Sequence, residues 1–330
     1  MSTSTSTETE IRERATMTSL PLRVTRVSWE AQGVLGLRLA AKDAVPLPPW
    51  EPGAHIDVRL PSGLSRQYSL CGDPGDRRHY DIAVRLQAAG RGGSAEIHGT
   101  ALVGRDLVVS DVRNHFPLTD ADEYLLVAGG IGITPLIPMM RALRERDVPW
   151  SAVYCGHGAE TMAFRDDLAA IGGQRIRFVD TAGEPRPDLK ELIGRLRPGA
   201  AVYCCGPNSL LDAVSEVCEA AGIRCESEHF GAATPSPEAA ARDEVELELR
   251  RSGLTVVAGP ETTLLQAIRD AGVEIESDCE EGYCGTCETG VLDGVADHRD
   301  VVLSKVERAA GRTFMPCVSR ACGRKLVLDL

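Results

Sequence analysis

At 330 residues, with 43% hydrophobic and 25% charged side chains, the chain is long enough for two or three domains with cores of their own. Its formal net charge of −12 excludes ordinary nucleic-acid binding, which needs clustered Lys and Arg to displace phosphate counterions. No run of about 18 apolar residues is present, so no transmembrane helix is expected.

Residues 1–16 open Met1-Ser2-Thr3-Ser4-Thr5-Ser6-Thr7-Glu8 and lack the apolar core of a secretion signal. They predict a disordered tail. Eleven cysteines in a chain without such a signal point to a cytoplasmic setting in which thiols stay reduced, so their spacing matters more than their number.

Residues 17–118 carry short alternating apolar runs, among them 54–60 and 80–86, divided by Gly, Pro and Asp clusters. That pattern predicts a small antiparallel β-barrel. Within it, Arg66-Gln67-Tyr68-Ser69-Leu70 alternates faces, with Arg66 and Tyr68 on one side and Gln67 and Ser69 on the other. Arg suits a flavin phosphate, Tyr can lie along the ring, and a Ser hydroxyl can reach the redox-active ring nitrogen. Gly90-Arg91-Gly92-Gly93-Ser94 is a Gly-rich turn into a helical turn, a second candidate for phosphate binding. Either piece alone is equally the pattern of a solvated loop; standing together ahead of an α/β segment and a cysteine cluster, they favour a flavin site.

Residues 119–230 change character. Continuous apolar strands at 124–128, 151–154, 176–179 and 201–204 alternate with helical stretches at 136–146 and 210–220, which predicts a parallel α/β sheet. Gly129-Gly130-Ile131-Gly132-Ile133-Thr134-Pro135 follows the first strand and opens a helix, where such sheets bind dinucleotides, although packing alone could also require these glycines. Cys204-Cys205-Gly206-Pro207-Asn208 repeats the strand-end arrangement, and the two turns would face one crevice. The loop Cys155-Gly156-His157-Gly158-Ala159-Glu160-Thr161 has no Arg or Lys for a 2′-phosphate, which favours NADH over NADPH.

Residues 231–243, with two prolines and little to bury, predict a linker. Residues 244–330 begin with a hairpin, 245–250 and 254–257 around Ser252-Gly253, continue with a helix at 263–271, and close with a strand at 325–328. Between them stands Cys279-x4-Cys284-x2-Cys287 with Cys317 far downstream. Four thiolates are what two irons bridged by two sulfides require, and closely spaced cysteines can wrap a cluster that a distant one closes. Zinc knuckles prefer paired C-x2-C units, of which there is one here. Cys322 competes with Cys317 for the fourth place; Cys317 is preferred because it follows Met315-Pro316 at a loop end.

With these residues assembled, the chain resembles the phthalate dioxygenase reductase family, in which FMN, NAD and plant-type 2Fe-2S ferredoxin modules stand in that order. The resemblance runs over residues 20–330. It implies a multidomain protein: an antiparallel β-barrel flavin domain, an α/β parallel-sheet nucleotide domain, and an α+β ferredoxin-like (β-grasp) cluster domain. It implies FMN contacts at Arg66, Tyr68 and Ser69, at Val84-Arg85-Leu86 and at Gly92-Gly93-Ser94. Thr134 would touch both nicotinamide and flavin, Phe230 would cover the flavin, Cys205 and Glu228 would border the hydride path, and Cys279, Cys284, Cys287 and Cys317 would ligate the cluster.

The function then expected is a two-to-one electron converter: hydride from NADH to flavin, single electrons to the cluster. A monomer is expected, and the resemblance implies that its acceptor is a terminal oxygenase, most often of Rieske non-haem iron type acting on an aromatic compound or in O-demethylation, with a haem-thiolate monooxygenase as the alternative. Glu274, Glu276, Asp278, Glu280, Glu281 and Glu288 would steer the cluster loop to a basic patch on that acceptor, unless they are merely a solvated face. A flavin and iron–sulfur redox sensor without turnover is the rival from another class.

Overall fold

The computed structural model describes residues 19–330 apart from 44, 88–91, 111, 231–243, 278–279, 281, 283–284 and 304. The expected tail and linker, Gly90, Arg91, Asp278, Cys279, Glu281 and Cys284 therefore lie outside the described residues.

The first module is a six-stranded antiparallel sheet of β1 (Leu20–Ala31), β2 (Val34–Ala41), β3 (His55–Arg59), β4 (Ser65–Ser69), β5 (His79–Arg85) and, after helix α1 (Gly93–Gly99), β6 (Asp106–Val109). The order β4-β3-β6-β1-β2-β5 closes into a barrel, because the chain beyond β4 turns onto β5. Leu70 bridges Ile82, and the Cys71 amide donates to the Asp81 carbonyl at 2.9 Å. Inward residues of all six strands, among them Leu22, Leu39, Ile56, Tyr68, Val84 and Val109, pack into the core together with Leu70.

The second module is a five-stranded parallel sheet of order β11-β10-β7-β8-β9. It comprises β7 (Tyr124–Gly129), α2 (Leu136–Arg146), β8 (Trp150–Gly156), α3 (Arg165–Gly172), β9 (Ile176–Asp180), α4 (Leu189–Gly194), β10 (Ala201–Gly206), α5 (Asn208–Ala221) and β11 (Arg224–His229). β7 is buried along its whole length because helices cover both sheet faces. Pro135 precedes α2 and Pro207 precedes α5, where a missing amide costs nothing. Gly222, at φ 66, ends α5 by turning its amide onto the last carbonyls.

Barrel and sheet share one apolar core. Ala31, Val34, Cys71, Ala83 and Phe116 pack with Leu126, Ile133, Met139 and Tyr154. Two buried tyrosines fix the connector between them: Tyr203 Oη donates to the Pro117 carbonyl (3.0 Å) and accepts from the Thr119 amide (2.9 Å), while Tyr124 Oη donates to the Thr119 carbonyl (2.8 Å). Each such bond contributes about 1 kcal/mol net, and losing one buried partner costs more.

The third module pairs β12 (Val245–Leu249) with β13 (Leu254–Ala258) as a hairpin, Gly253 taking φ 68 at its turn, and lays α6 (Leu264–Asp270) across it. Then come β14 (Thr289–Asp293), β15 (Ala296–Asp297), α7 (Lys305–Ala310), β16 (Thr313–Phe314), β17 (Arg320–Ala321) and β18 (Lys325–Leu328). β18 runs parallel to β12 at the sheet centre, in the order β13-β12-β18-β14-β16, which is the β-grasp arrangement. No helix among the described residues is long and apolar enough to cross a membrane.

Candidate functional site

Three side chains from distant parts of the sequence meet where barrel and parallel sheet join. Ser69, at the end of β4, donates from Oγ to Glu228 Oε2 at 3.3 Å. Cys205 near the end of β10 and Glu228 near the end of β11 are register neighbours, and the Cys205 thiol lies 4.0 Å from the same carboxylate oxygen. Burial pushes the Glu228 carboxyl up to about 8 against the one hydroxyl that favours its charged form. Cys205 is raised well above a normal thiol by burial and by Glu228. Hydroxyl, thiol and carboxyl thus form a neutral polar trio at pH 7. Phe230, directly after β11 and two residues past Glu228, keeps 40% of its surface exposed.

The glycine turns bring the two strand ends together. A Cβ on Gly132 would lie 2.7 Å from the Gly206 amide nitrogen and closer still to the Cys205 carbonyl, and one on Gly129 would lie 2.6 Å from Pro207 Cδ. These glycines are demanded by protein–protein approach as much as by any ligand. Gly130 adopts φ +55, and the Arg85 guanidinium reaches it from the barrel: its Nη1 would be 3.4 Å from a Cβ there. Thr134 is 2% exposed and donates from Oγ1 to the Ile131 carbonyl at 3.0 Å, closing the turn; Pro135 then opens α2.

The flavin candidates gather at the barrel edge. The Arg66 stem lies across Gly93, where a Cβ would meet its Cγ at 2.8 Å, and Gly92 takes φ +86 to make the approach. That cradle, which any larger residue at 93 would fill, fits a phosphate beside a guanidinium. Tyr68 packs against the barrel core, and burial raises its hydroxyl to about 12, so the phenol stays neutral. Gln67 is half-buried on the neighbouring position of β4. Ser94 Oγ accepts from the Gln87 amide (3.0 Å). Val84 turns its side chain into the barrel core, so only its backbone faces outward, with its carbonyl 3.0 Å from His98 Nε2; Leu86 remains 42% exposed.

In the loop after β8, Gly158 donates its amide to Asp180 Oδ1 (2.8 Å) and Thr181 Oγ1 donates to the Gly156 carbonyl (3.0 Å). Amide donors hold the Asp180 carboxyl below its usual range. The 156–160 loop is therefore fixed by a carboxylate, a residue that sequence reading did not single out.

In the third module Cys287 and Cys317 are each 3% exposed, with their sulfurs 3.3 Å apart among Leu265, Leu303 and Met315. Two buried thiols so close suit a thiophilic metal. Cys322 is exposed, its amide donated to the Val295 carbonyl. Among the described residues no three His, Cys, Asp or Glu side chains gather as a metal site; two of the four expected ligands lie outside them. Gly282 and Gly285, at φ +77 and +81, pack against Val318, Asp300 and Val302.

Residues 247–322 match a 2Fe-2S iron–sulfur cluster binding domain family. The chain is 41% identical over 320 residues to phenoxybenzoate dioxygenase subunit beta of Ectopseudomonas oleovorans, covering 96% of this chain and 99% of that protein. Among solved structures it matches an intact type IV self-sufficient cytochrome P450 monooxygenase at 42% identity and TM-score 0.76, covering 94% of this chain and 41% of that one. It also matches phthalate dioxygenase reductase, described as a modular structure for electron transfer from pyridine nucleotides to [2Fe-2S], at 36% identity and TM-score 0.73 over 94% of this chain and 98% of that one. With the module order, the barrel–sheet junction and this end-to-end similarity in agreement, the chain belongs to the phthalate dioxygenase reductase family.

Proposed function

We propose that the chain is the NADH-dependent reductase component of an oxygenase system, working as a monomer in the cytoplasm. The observation that carries this reading is the meeting of Ser69, Cys205 and Glu228 at the barrel–sheet junction, where a flavin held by one module and a nicotinamide held by the other would come into contact. Bound there, FMN would accept a hydride and yield its electrons singly to a 2Fe-2S cluster.

The chain's own residues would do the rest. Arg66, with Gly92, Gly93 and Ser94, would hold the FMN phosphate; Gln67, Tyr68 and Val84 to Leu86 would line the ring. Gly129, Gly130, Gly132, Thr134, Pro135, Gly206 and Pro207 would shape the nicotinamide crevice. The neutral trio would border the reacting rings without placing a fixed charge against them. Phe230 would shield the flavin from water until the coenzyme arrives. The carboxylates Asp180 and Glu160, with no Lys or Arg between Cys155 and Thr161, support NADH over NADPH. Cys287 and Cys317 would hold the cluster with Cys279 and Cys284, the burial of Cys317 and exposure of Cys322 favouring the former.

A Rieske non-haem iron oxygenase is the favoured acceptor, supported by relatives named as dioxygenase and O-demethylase components. The likeness to a self-sufficient P450 favours a haem-thiolate acceptor as second reading. Purified protein should carry FMN, iron and labile sulfide and reduce an artificial one-electron acceptor with NADH. Protein free of iron and sulfide after anaerobic reconstitution, or flavin bound without NADH turnover, would refute the reading.

A further inference from the structure

Beside the buried cysteines lies a carboxylate with no exposed surface: the side chain of Asp300 is 0% accessible. Its Oδ2 accepts the amides of Val302 (3.1 Å) and Leu303 (2.9 Å), and its Oδ1 lies 3.5 Å from Ser319 Oγ. Two cationic or titratable groups approach it, Arg308 Nη2 at 3.8 Å and His298 Nδ1 at 3.6 Å. Arg308 Nη2 also donates to the Asp300 carbonyl at 2.7 Å. The segment so folded forms one wall of the cysteine loop. The Val301 amide donates to the Gly282 carbonyl (2.8 Å), a Cβ at Gly282 would lie 3.2 Å from Asp300 Cα, and one at Gly285 would lie 3.3 Å from Val302. Ser319, two residues past Cys317, accepts the Arg299 amide at 3.1 Å. Asp300 thus ties the two glycines of the cysteine loop to the segment carrying Cys317.

We propose that Asp300 is a positioning residue of the iron–sulfur site that also lowers its reduction potential. Burying a charge is costly and is sustained only by hydrogen bonds and a partner, both present here. Net charge and burial around a cluster are among the levers that set its potential, and a negative group in a dry environment opposes arrival of an electron. The inference rests on the proposed cluster ligation by Cys287 and Cys317.

The test is an electron-paramagnetic-resonance redox titration of the holoprotein and variants. Asp300→Asn keeps the shape and removes the charge. It should retain the cluster and favour its reduction about tenfold, a midpoint about 59 mV higher for a one-electron couple. Asp297→Asn removes a carboxylate of the same segment whose side chain is 37% exposed and paired with Arg299 at 2.7 Å; it should move the midpoint by less than a third of that. An unchanged midpoint in Asp300→Asn, or an equal shift in Asp297→Asn, overturns the proposal. Should Asp300→Asn fail to assemble, Arg308→Gln decides: it leaves the carboxylate without its cation and should lower the midpoint, reduction becoming at least about threefold less favourable, whereas an unmoved midpoint overturns the assignment. Wild-type protein without iron would instead refute the cluster reading itself, and this inference with it.

Discussion

Replacing Gly132 by Ala tests how tightly the two strand ends must close. The added methyl would sit 2.7 Å from the Gly206 nitrogen and nearer to the Cys205 carbonyl. Neither atom belongs to a side chain that could swing away, and Gly206 is itself pressed against Gly129, where a Cβ would meet Cα and nitrogen at 2.9 Å. Relief requires moving the turn or the end of β10, so the cost belongs at the upper end of overpacking, about 3 kcal/mol. At roughly 2–4 °C per kcal/mol for a unit of this size, calorimetry should show the barrel–nucleotide transition lowered by about 6–12 °C. NADH turnover should fall as well, because the displaced strand end carries Cys205 and pairs with Glu228. The same substitution at Gly194, the last residue of α4 with nothing within 4 Å of a Cβ, should instead stabilise by up to about 0.5–1 kcal/mol. A Gly132→Ala protein with wild-type melting and kinetics would refute the close-approach argument.

The site yields three further expected outcomes. Arg66→Ala should release FMN yet leave the cluster's visible absorbance intact; retained flavin after desalting would remove Arg66 from the phosphate. Cys317→Ala should abolish that absorbance while Cys322→Ala should not, and the reverse would reassign the fourth ligand. Glu228 offers a test by pH. Its folded value of about 8 lies above the ordinary 4.5, so its contribution to stability is complete below about 4.5 and is lost as pH rises toward 8. Glu228→Gln cannot ionise, so its urea midpoint relative to wild type should rise between pH 5 and pH 8; a difference that stays flat would mean the carboxyl is not desolvated.

Much of this was legible where local and global preferences coincide. The helix expected at 136–146 is α2 (Leu136–Arg146), because Pro135 stands before it and Asp147, at φ 54, leaves helical geometry after it. The closing strand at 325–328 is β18, whose hydrophobic run lies at the centre of its sheet. β11 gave no such signal. Arg224-Cys225-Glu226-Ser227-Glu228-His229 has no apolar alternation, and it forms a strand only because β10 offers it an edge. Asp300 was equally hidden: Asp297-His298-Arg299-Asp300 has the composition of a solvated loop, and its burial comes from residues distant in sequence, among them Gly282 and Ser319. Asp180 acts through backbone amides, which no side-chain pattern announces.

The apolar mass common to barrel and parallel sheet also governs how this molecule can be cut. Severing the chain near residue 118 would strand Ala31, Val34, Cys71 and Phe116 in water on one piece and Leu126, Met139 and Tyr154 on the other, so each fragment would expose an apolar face that the intact chain buries. Ser69 from one module and Glu228 from the other are consequently brought together by the same collapse that buries these side chains.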